Sequence, residues 1–138
     1  MAGRGDGETQ RKDGRNMKVA ITSYGEDLSG KVDRSFGRAK WFVVVDTAKE
    51  TFDAYSNKQN VNAVQGAGIQ AAQNISNLGV DVVLTGNVGP NAFRTLSAAS
   101  IKIFIVGKGI ETVKDALSEW KAGHLQEVNE STIEGAWV

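Results

Sequence analysis

Apolar positions along this chain follow two rhythms, and the alternation between them predicts an α/β order. Lys18-Val19-Ala20-Ile21-Thr22 opens as a strand, and a long polar loop runs from Ser23 to Arg38. Trp41-Phe42-Val43-Val44-Val45-Asp46 is a second strand by its aromatic and β-branched content. Thr47 to Glu50 form a polar turn, and Thr51-Phe52-Asp53-Ala54-Tyr55 alternates as the returning arm of a hairpin. From Ala63 the period changes: Val64, Gly68, Ala71, Ala72, Ile75 and Leu78 fall near helical spacing until Gly79 ends the run.

The stretch from Val80 to Ala92 organises the rest. Val82, Val83 and Leu84 form the short apolar run expected of a parallel strand covered on both faces. Thr85 to Gly89 supply turn chemistry, and Pro90 suits the first turn of a helix, where its fixed φ fits and its missing N–H is not needed. A helix from Pro90 to about Ala99 follows, then a strand from Ile101 to Val106. A last helix has Ile110, Val113, Ala116, Leu117 and Trp120 as its apolar stripe and is closed by Gly123. Together these elements predict a mixed five-stranded sheet, with an antiparallel hairpin and flanking helices, in two or three layers.

Three segments stand outside this pattern. Met1 to Asn16 has glycines, charges and no large apolar side chain beyond Met1, so it reads as a disordered leader, with Met17 the natural start. Asn57 to Asn62 is rich in amides and poor in anchors, which predicts mobility. The tail to Val138 is polar until Ala136-Trp137-Val138 and has no assigned place.

Composition narrows the chemistry more than it names it. Lysine plus arginine and aspartate plus glutamate both number 16, so overall charge favours neither nucleic acid nor an anionic membrane. The chain has no cysteine, which excludes disulfides, thiolate zinc sites and a cysteine-ligated iron–sulfur cluster. The single histidine, His124, cannot build a multi-imidazole site and reads as a helix-end residue. With no bilayer-length apolar run and no signal-peptide core, the cytoplasm is the default location.

Several motifs compete with bland readings. Gly66-Ala67-Gly68 matches the relaxed dinucleotide fingerprint, but no strand directly precedes it and no acidic residue closes the next strand, so helix-start and packing glycines explain it better. Gly86-Asn87-Val88-Gly89-Pro90 lacks the Lys-Ser or Lys-Thr pair of a phosphate loop, yet it sits at the carboxyl end of a central strand, where backbone N–H groups can face a ligand. Lys31, Arg34, Arg38 and Lys40 lie within ten residues, opposed by Asp33 alone. They read either as a solvated loop or as an anion site. Asp46, Asp53, Asp81 and Asp115 are scattered, and the first strand carries no carboxylate, so two-metal nuclease chemistry is disfavoured.

Three glycine-marked blocks occur in order: Asp33-Arg34-Ser35-Phe36-Gly37-Arg38-Ala39, then Gly66-Ala67-Gly68-Ile69 with Ala71-Ala72, then Gly79-Val80-Asp81 with Gly86 and Gly89-Pro90-Asn91-Ala92. In this the chain resembles the dinitrogenase iron–molybdenum cofactor biosynthesis family over about Lys18 to Gln126. The resemblance implies one domain over residues 17–126 with a tail at 127–138, a ribonuclease H-like fold without nuclease activity, and a non-catalytic role in binding or carrying a metal–sulfur cluster. It further implies a molybdenum–copper sulfide anion held without covalent ligands, in keeping with the missing cysteines. Where many relatives have histidine before the Phe-Gly pair this chain has Ser35, which removes one possible metal ligand.

On that reading Lys31, Arg34 and Arg38, with Lys40, supply charge. Phe36 and Gly37 shape the first loop, Gly66 and Gly68 the second with Asn62 beside it, and Gly86, Asn87, Gly89 and Pro90 the third. An alternative is an adaptor domain that uses the same loops to bind a partner ATPase or a cofactor-assembly protein. An enzyme acting on a phosphorylated metabolite is a third reading, weakened by the lack of an acid–base pair.

Overall fold

The computed structural model describes residues 17–61 and 66–129. The expectations for the leader, for Asn62 and for the tail from residue 130 fall outside them. The described chain runs β1 (Lys18–Ser23), β2 (Trp41–Asp46), β3 (Thr51–Ser56), α1 (Lys58–Val61), α2 (Ala67–Asn77), β4 (Val82–Thr85), α3 (Pro90–Ala98), β5 (Lys102–Ile105), α4 (Val113–Lys121) and β6 (Gln126–Glu127). The strands form one sheet in the order β3-β2-β1-β4-β5-β6.

The central strands β1, β4 and β5 are parallel, and the hairpin β2–β3 adds antiparallel to β1. The expected five strands become six. Gln126 and Glu127 pair antiparallel with Ile105 and Phe104, and the Val128 N–H donates to the Ile103 carbonyl at 2.8 Å. Two residues are too short to show any periodicity, so this strand is made by its neighbour and not by its own pattern.

Strand alternation divides the core between two faces. Ala20, Phe42, Val44, Val83 and Ile103 pack against Ala71, Ala72 and Ile75 of α2 and Ala92 and Leu96 of α3. Val19, Ile21, Val43, Val45, Val82 and Leu84 pack against Val113, Ala116 and Leu117 of α4. Helices therefore cover both faces, giving three layers. Among the described residues no helix is long and apolar enough to cross a membrane.

This topology brings the functional loops to one edge. The register pairs Ser23 with Trp41 and Trp41 with Ser56, so the loops after β1, before β2 and after β3 all meet the carboxyl ends of β4 and β5 there. Cavities of about 370 Å³, beside Phe93 and Lys102, and about 150 Å³, beside Lys18 and Leu78, lie away from that edge.

Candidate functional site: a carboxyl-edge anion cradle

The first loop is closed by polar groups that leave the sheet with β1 and β4. The Asp33 N–H donates to the Thr22 carbonyl at 2.9 Å. The Thr22 hydroxyl donates to the Asp33 carbonyl at 2.6 Å and stands 2.9 Å from the Thr85 hydroxyl, all of it buried. The Asp33 carboxylate accepts the Ser35 N–H at 3.1 Å and the Lys40 N–H, bracing the loop across its mouth. Burial pushes its carboxyl above the ordinary value, because desolvation outweighs those two N–H donors and the Lys40 charge. Asp33 entered the sequence reading as a counter-charge and as the first residue of a family block, with no structural role of its own. Its signal was the Asp-x-Ser spacing of an Asx turn.

Asn57 and Asn60 correct the expectation that their segment lacks anchors. Both are buried. Asn57 Nδ2 donates to the carbonyls of Gly37 (3.1 Å) and Ala39 (2.8 Å), its N–H donates to the Lys40 carbonyl, and its Oδ1 accepts from Asn60 Nδ2 at 2.8 Å. The amides are themselves the anchors, and what they hold is the first loop.

The three glycine blocks meet at backbone distance. A Cβ on Gly37 would stand 3.0 Å from the Cα and N of Gly68, and one on Gly68 would stand 3.1 Å from the Ala92 Cβ. A Cβ on Gly86 would meet the Arg34 Cα at 2.9 Å. Ser35 bridges to Asn87, and the Phe36 N–H donates to the Asn87 carbonyl at 3.2 Å. The Phe36 ring is buried, 5.4 Å from that of Phe42, so it roots the loop in the core rather than facing a ligand.

Two helices begin here without side-chain caps. α2 starts behind Gly66 at φ +83, and α3 behind Gly89 with Pro90 in its first turn. Neither has an acidic residue in its first turn. Each start carries first-turn N–H groups that the helix itself leaves without an intrahelical acceptor, and the positive end of a helix dipole, the ordinary furniture of an anion site.

The basic cluster does not act as one. Lys31 bridges to Thr112 at the start of α4, on the opposite face of the sheet from α2 and α3. Arg34 reaches the same side: Nη1 donates to the carbonyls of Val106 (2.6 Å) and Gly107 (3.0 Å), and Nη2 to those of Lys108 (3.3 Å) and Ile110 (3.0 Å). Arg38 and Lys40 remain exposed at the loop, with the Arg38 N–H directed to the Ser35 hydroxyl at 3.3 Å. His124 sits at the end of α4, its Nδ1 3.1 Å from Glu119, as a helix-end residue does.

Residues 17–123 match the family model described as dinitrogenase iron-molybdenum cofactor. The chain belongs to this family. It is similar in structure to the apo form of the orange protein from Desulfovibrio gigas, with a TM-score of 0.80 and 38% identity over 85% of this chain and 97% of that one. A Thermotoga protein assigned to the DUF35 family aligns with a TM-score of 0.75 and 34% identity over 86% of this chain and 99% of its own. An uncharacterised protein of Methanocaldococcus jannaschii is 27% identical over 90 residues, 64% of this chain and 73% of that one.

The donor set decides what kind of group this edge fits. Among the described residues no three histidine, cysteine or acidic side chains gather to hold a metal ion, and the chain has no cysteine anywhere. The edge offers N–H groups, helix starts and cations instead. Such a set suits an anion better than a bare cation.

Proposed function

We propose that this protein binds and carries an anionic metal–sulfur cluster, without covalent protein ligands, at the edge where Gly37, Gly68 and Gly86 meet. The observation that carries the reading is the packing of Gly37 against the uncapped start of α2, with the start of α3 one contact further on. Backbone N–H groups recognise charge on any sulfide or oxide anion of fitting shape. The family resemblance implies a molybdenum–copper sulfide as the cluster, and the strand order supports the ribonuclease H-like assignment. In this reading the role is non-catalytic, in keeping with the likeness to the orange protein, and its location is the cytoplasm.

In this reading Gly66 and Gly89 set the helix starts, Gly37 and Gly86 allow the loops to touch, and Asn87 with Arg38 forms the rim. Phe36 holds the loop from below. Anaerobic titration of purified apo-protein with tetrathiomolybdate and a copper salt, followed by desalting, visible absorption and metal analysis, tests it. Retained colour with stoichiometric molybdenum and copper is the expected result. A folded protein that stays colourless and metal-free would overturn it in favour of the adaptor reading.

A further inference from the structure

The sheet has two unlike edges. β6 forms one with two residues, whereas β3 forms the other with six, paired one to one with β2 and without a bulge. Exposed edges are commonly guarded against pairing by proline, lysine, a bulge or brevity, and β3 has none of these. We propose that this edge pairs with the same edge of a second copy of the chain, antiparallel about a two-fold axis at Ala54. The inference stands apart from the carrier reading. The two-fold turns the two carboxyl edges to opposite ends of the joined sheet, so both stay open.

Backbone direction limits the possible registers. The Asn57 N–H donates to the Lys40 carbonyl at 2.9 Å, in the same register that pairs Asp46 with Thr51. Thr51, Asp53 and Tyr55 therefore turn their N–H and carbonyl groups toward β2, and Phe52, Ala54 and Ser56 turn theirs outward. Among the described residues no main-chain group meets those outward ones. Self-pairing has to set outward residues opposite outward residues, which leaves an axis at Asp53 or at Ala54 if most of the strand is used. An axis at Asp53 places its carboxylate directly against itself, a repulsive pair. An axis at Ala54 places Ala54 against itself, Phe52 against Ser56 and Asp53 against Tyr55.

The side chains favour that second register on both faces. Phe52 and Tyr55 are the exposed large side chains of the strand, at 40% and 38%. Phe52 comes to lie across from Ser56 and diagonal to Ala54, small residues that leave space for its ring. On the other face the Asp53 carboxylate and the Tyr55 hydroxyl, neither of them hydrogen-bonded among the described residues, meet in a non-hydrogen-bonded pair, where side chains approach most closely. The strand ends are complementary in charge. Glu50 precedes β3, and Lys58 follows it with its ammonium 5.4 Å from the Trp41 ring centroid. Both are exposed and outside any ion pair among the described residues, and the two-fold brings Glu50 of one copy to the end where Lys58 of the other stands. Because the axis repeats every one of these matches, the fitting occupant is a second copy.

An edge pair of this length covers less than the roughly 1,200 Å² of a standard interface, so a dissociation constant of about 0.1 mM is expected. Sedimentation velocity of the full chain from about 0.01 to 1 mM, a range that brackets this constant, should show the mass rising toward that of a dimer. Ala54→Lys sets like charges against each other on the axis and leaves the ladder to β2 intact, so it should weaken the dimer at least about tenfold. Glu50→Lys and Lys58→Glu should each weaken it about threefold, and the double exchange should restore it. Cross-linking reads the register, because the chain has no cysteine of its own. Residues in a hydrogen-bonded antiparallel pair stand about 5.5 Å apart at Cα, within disulfide reach, so Ala54→Cys should form a disulfide dimer under mild oxidation faster than Asp53→Cys. Wild-type protein that stays monomeric at every concentration would overturn the pairing. A dimer that Ala54→Lys leaves intact would overturn the edge as its site, and faster cross-linking of Asp53→Cys would overturn the axis at Ala54.

Discussion

Asn57 and Ala39 are joined by a buried hydrogen bond of 2.8 Å from the Asn57 side-chain amide to the Ala39 carbonyl. The same nitrogen serves Gly37, so the shape of the first loop depends on one amide on the far side of the β2–β3 hairpin. Asn57→Ala leaves these carbonyls and the Asn60 amide without their partner. The expected loss is about 1–3 kcal/mol, the usual cost of buried polar groups left unsatisfied. Urea unfolding should show a lower midpoint with an unchanged slope. A midpoint equal to wild type would mean that water replaces the amide.

Gly37 and Gly89 offer a paired test of where side chains are forbidden. Gly37→Ala places a methyl group 3.0 Å from the backbone of Gly68, and neither backbone can yield cheaply. Destabilisation of about 1–3 kcal/mol is expected, with loss of cluster retention as the loop lifts from α2. At Gly89, φ is −79 and nothing lies within 4 Å of a new Cβ, so Gly89→Ala should cost under about 1 kcal/mol, the difference between a glycine and an alanine cap. Thermal melts of the two variants decide it, and equal melting temperatures would refute the close approach.

The buried carboxyl of Asp33 makes a pH prediction whose sign is opposite to that of an ordinary ion-paired acid. Its value in the folded protein lies above the ordinary 3.8, so between the two values the native state binds more proton than the unfolded state. Its contribution to stability therefore falls as pH rises through that window and is constant above it. Urea midpoints of wild type and Asp33→Asn, measured from about pH 4 to 7, should show wild type gaining on the variant as pH falls. The opposite slope would show that the Ser35 and Lys40 N–H groups, with the Lys40 charge, outweigh desolvation.

Arg38 stands exposed on the rim of the first loop, so reversing its charge should disturb binding more than folding. Arg38→Glu is expected to reduce cluster retention about fivefold, the equivalent of the roughly 1 kcal/mol that an exposed ion pair contributes. The unfolding midpoint should stay at the wild-type value. Unaltered retention would remove Arg38 from the site.

The sheet and its helices were legible because their signals are local. Val82-Val83-Leu84 and the aromatic, β-branched run from Trp41 reveal themselves within a few residues, and Pro90 marks a helix start wherever it stands. What escaped the sequence depends on partners far along the chain. The carbonyls that occupy Arg34 lie 72 to 76 residues away, so the chain shows four neighbouring cations where the fold turns Lys31 and Arg34 toward the start of α4 and leaves Arg38 and Lys40 exposed at the loop. Asn57 and Asn60 look like loop amides until the carbonyls they serve are in view.

The contacts of Gly37 with Gly68, Gly68 with Ala92 and Gly86 with Arg34 also bear on how such a protein can change over evolutionary time. Because the floor of the edge is made of glycines pressed against backbone and against the first atoms of the Ala92 and Arg34 side chains, larger side chains cannot enter it by small steps. New ligand preferences must then be written on the rim, at exposed positions such as Arg38 and Asn87, which can vary singly while the floor stays as it is. On the carrier reading proposed above, a scaffold of this kind exchanges one anionic cargo for another without refolding.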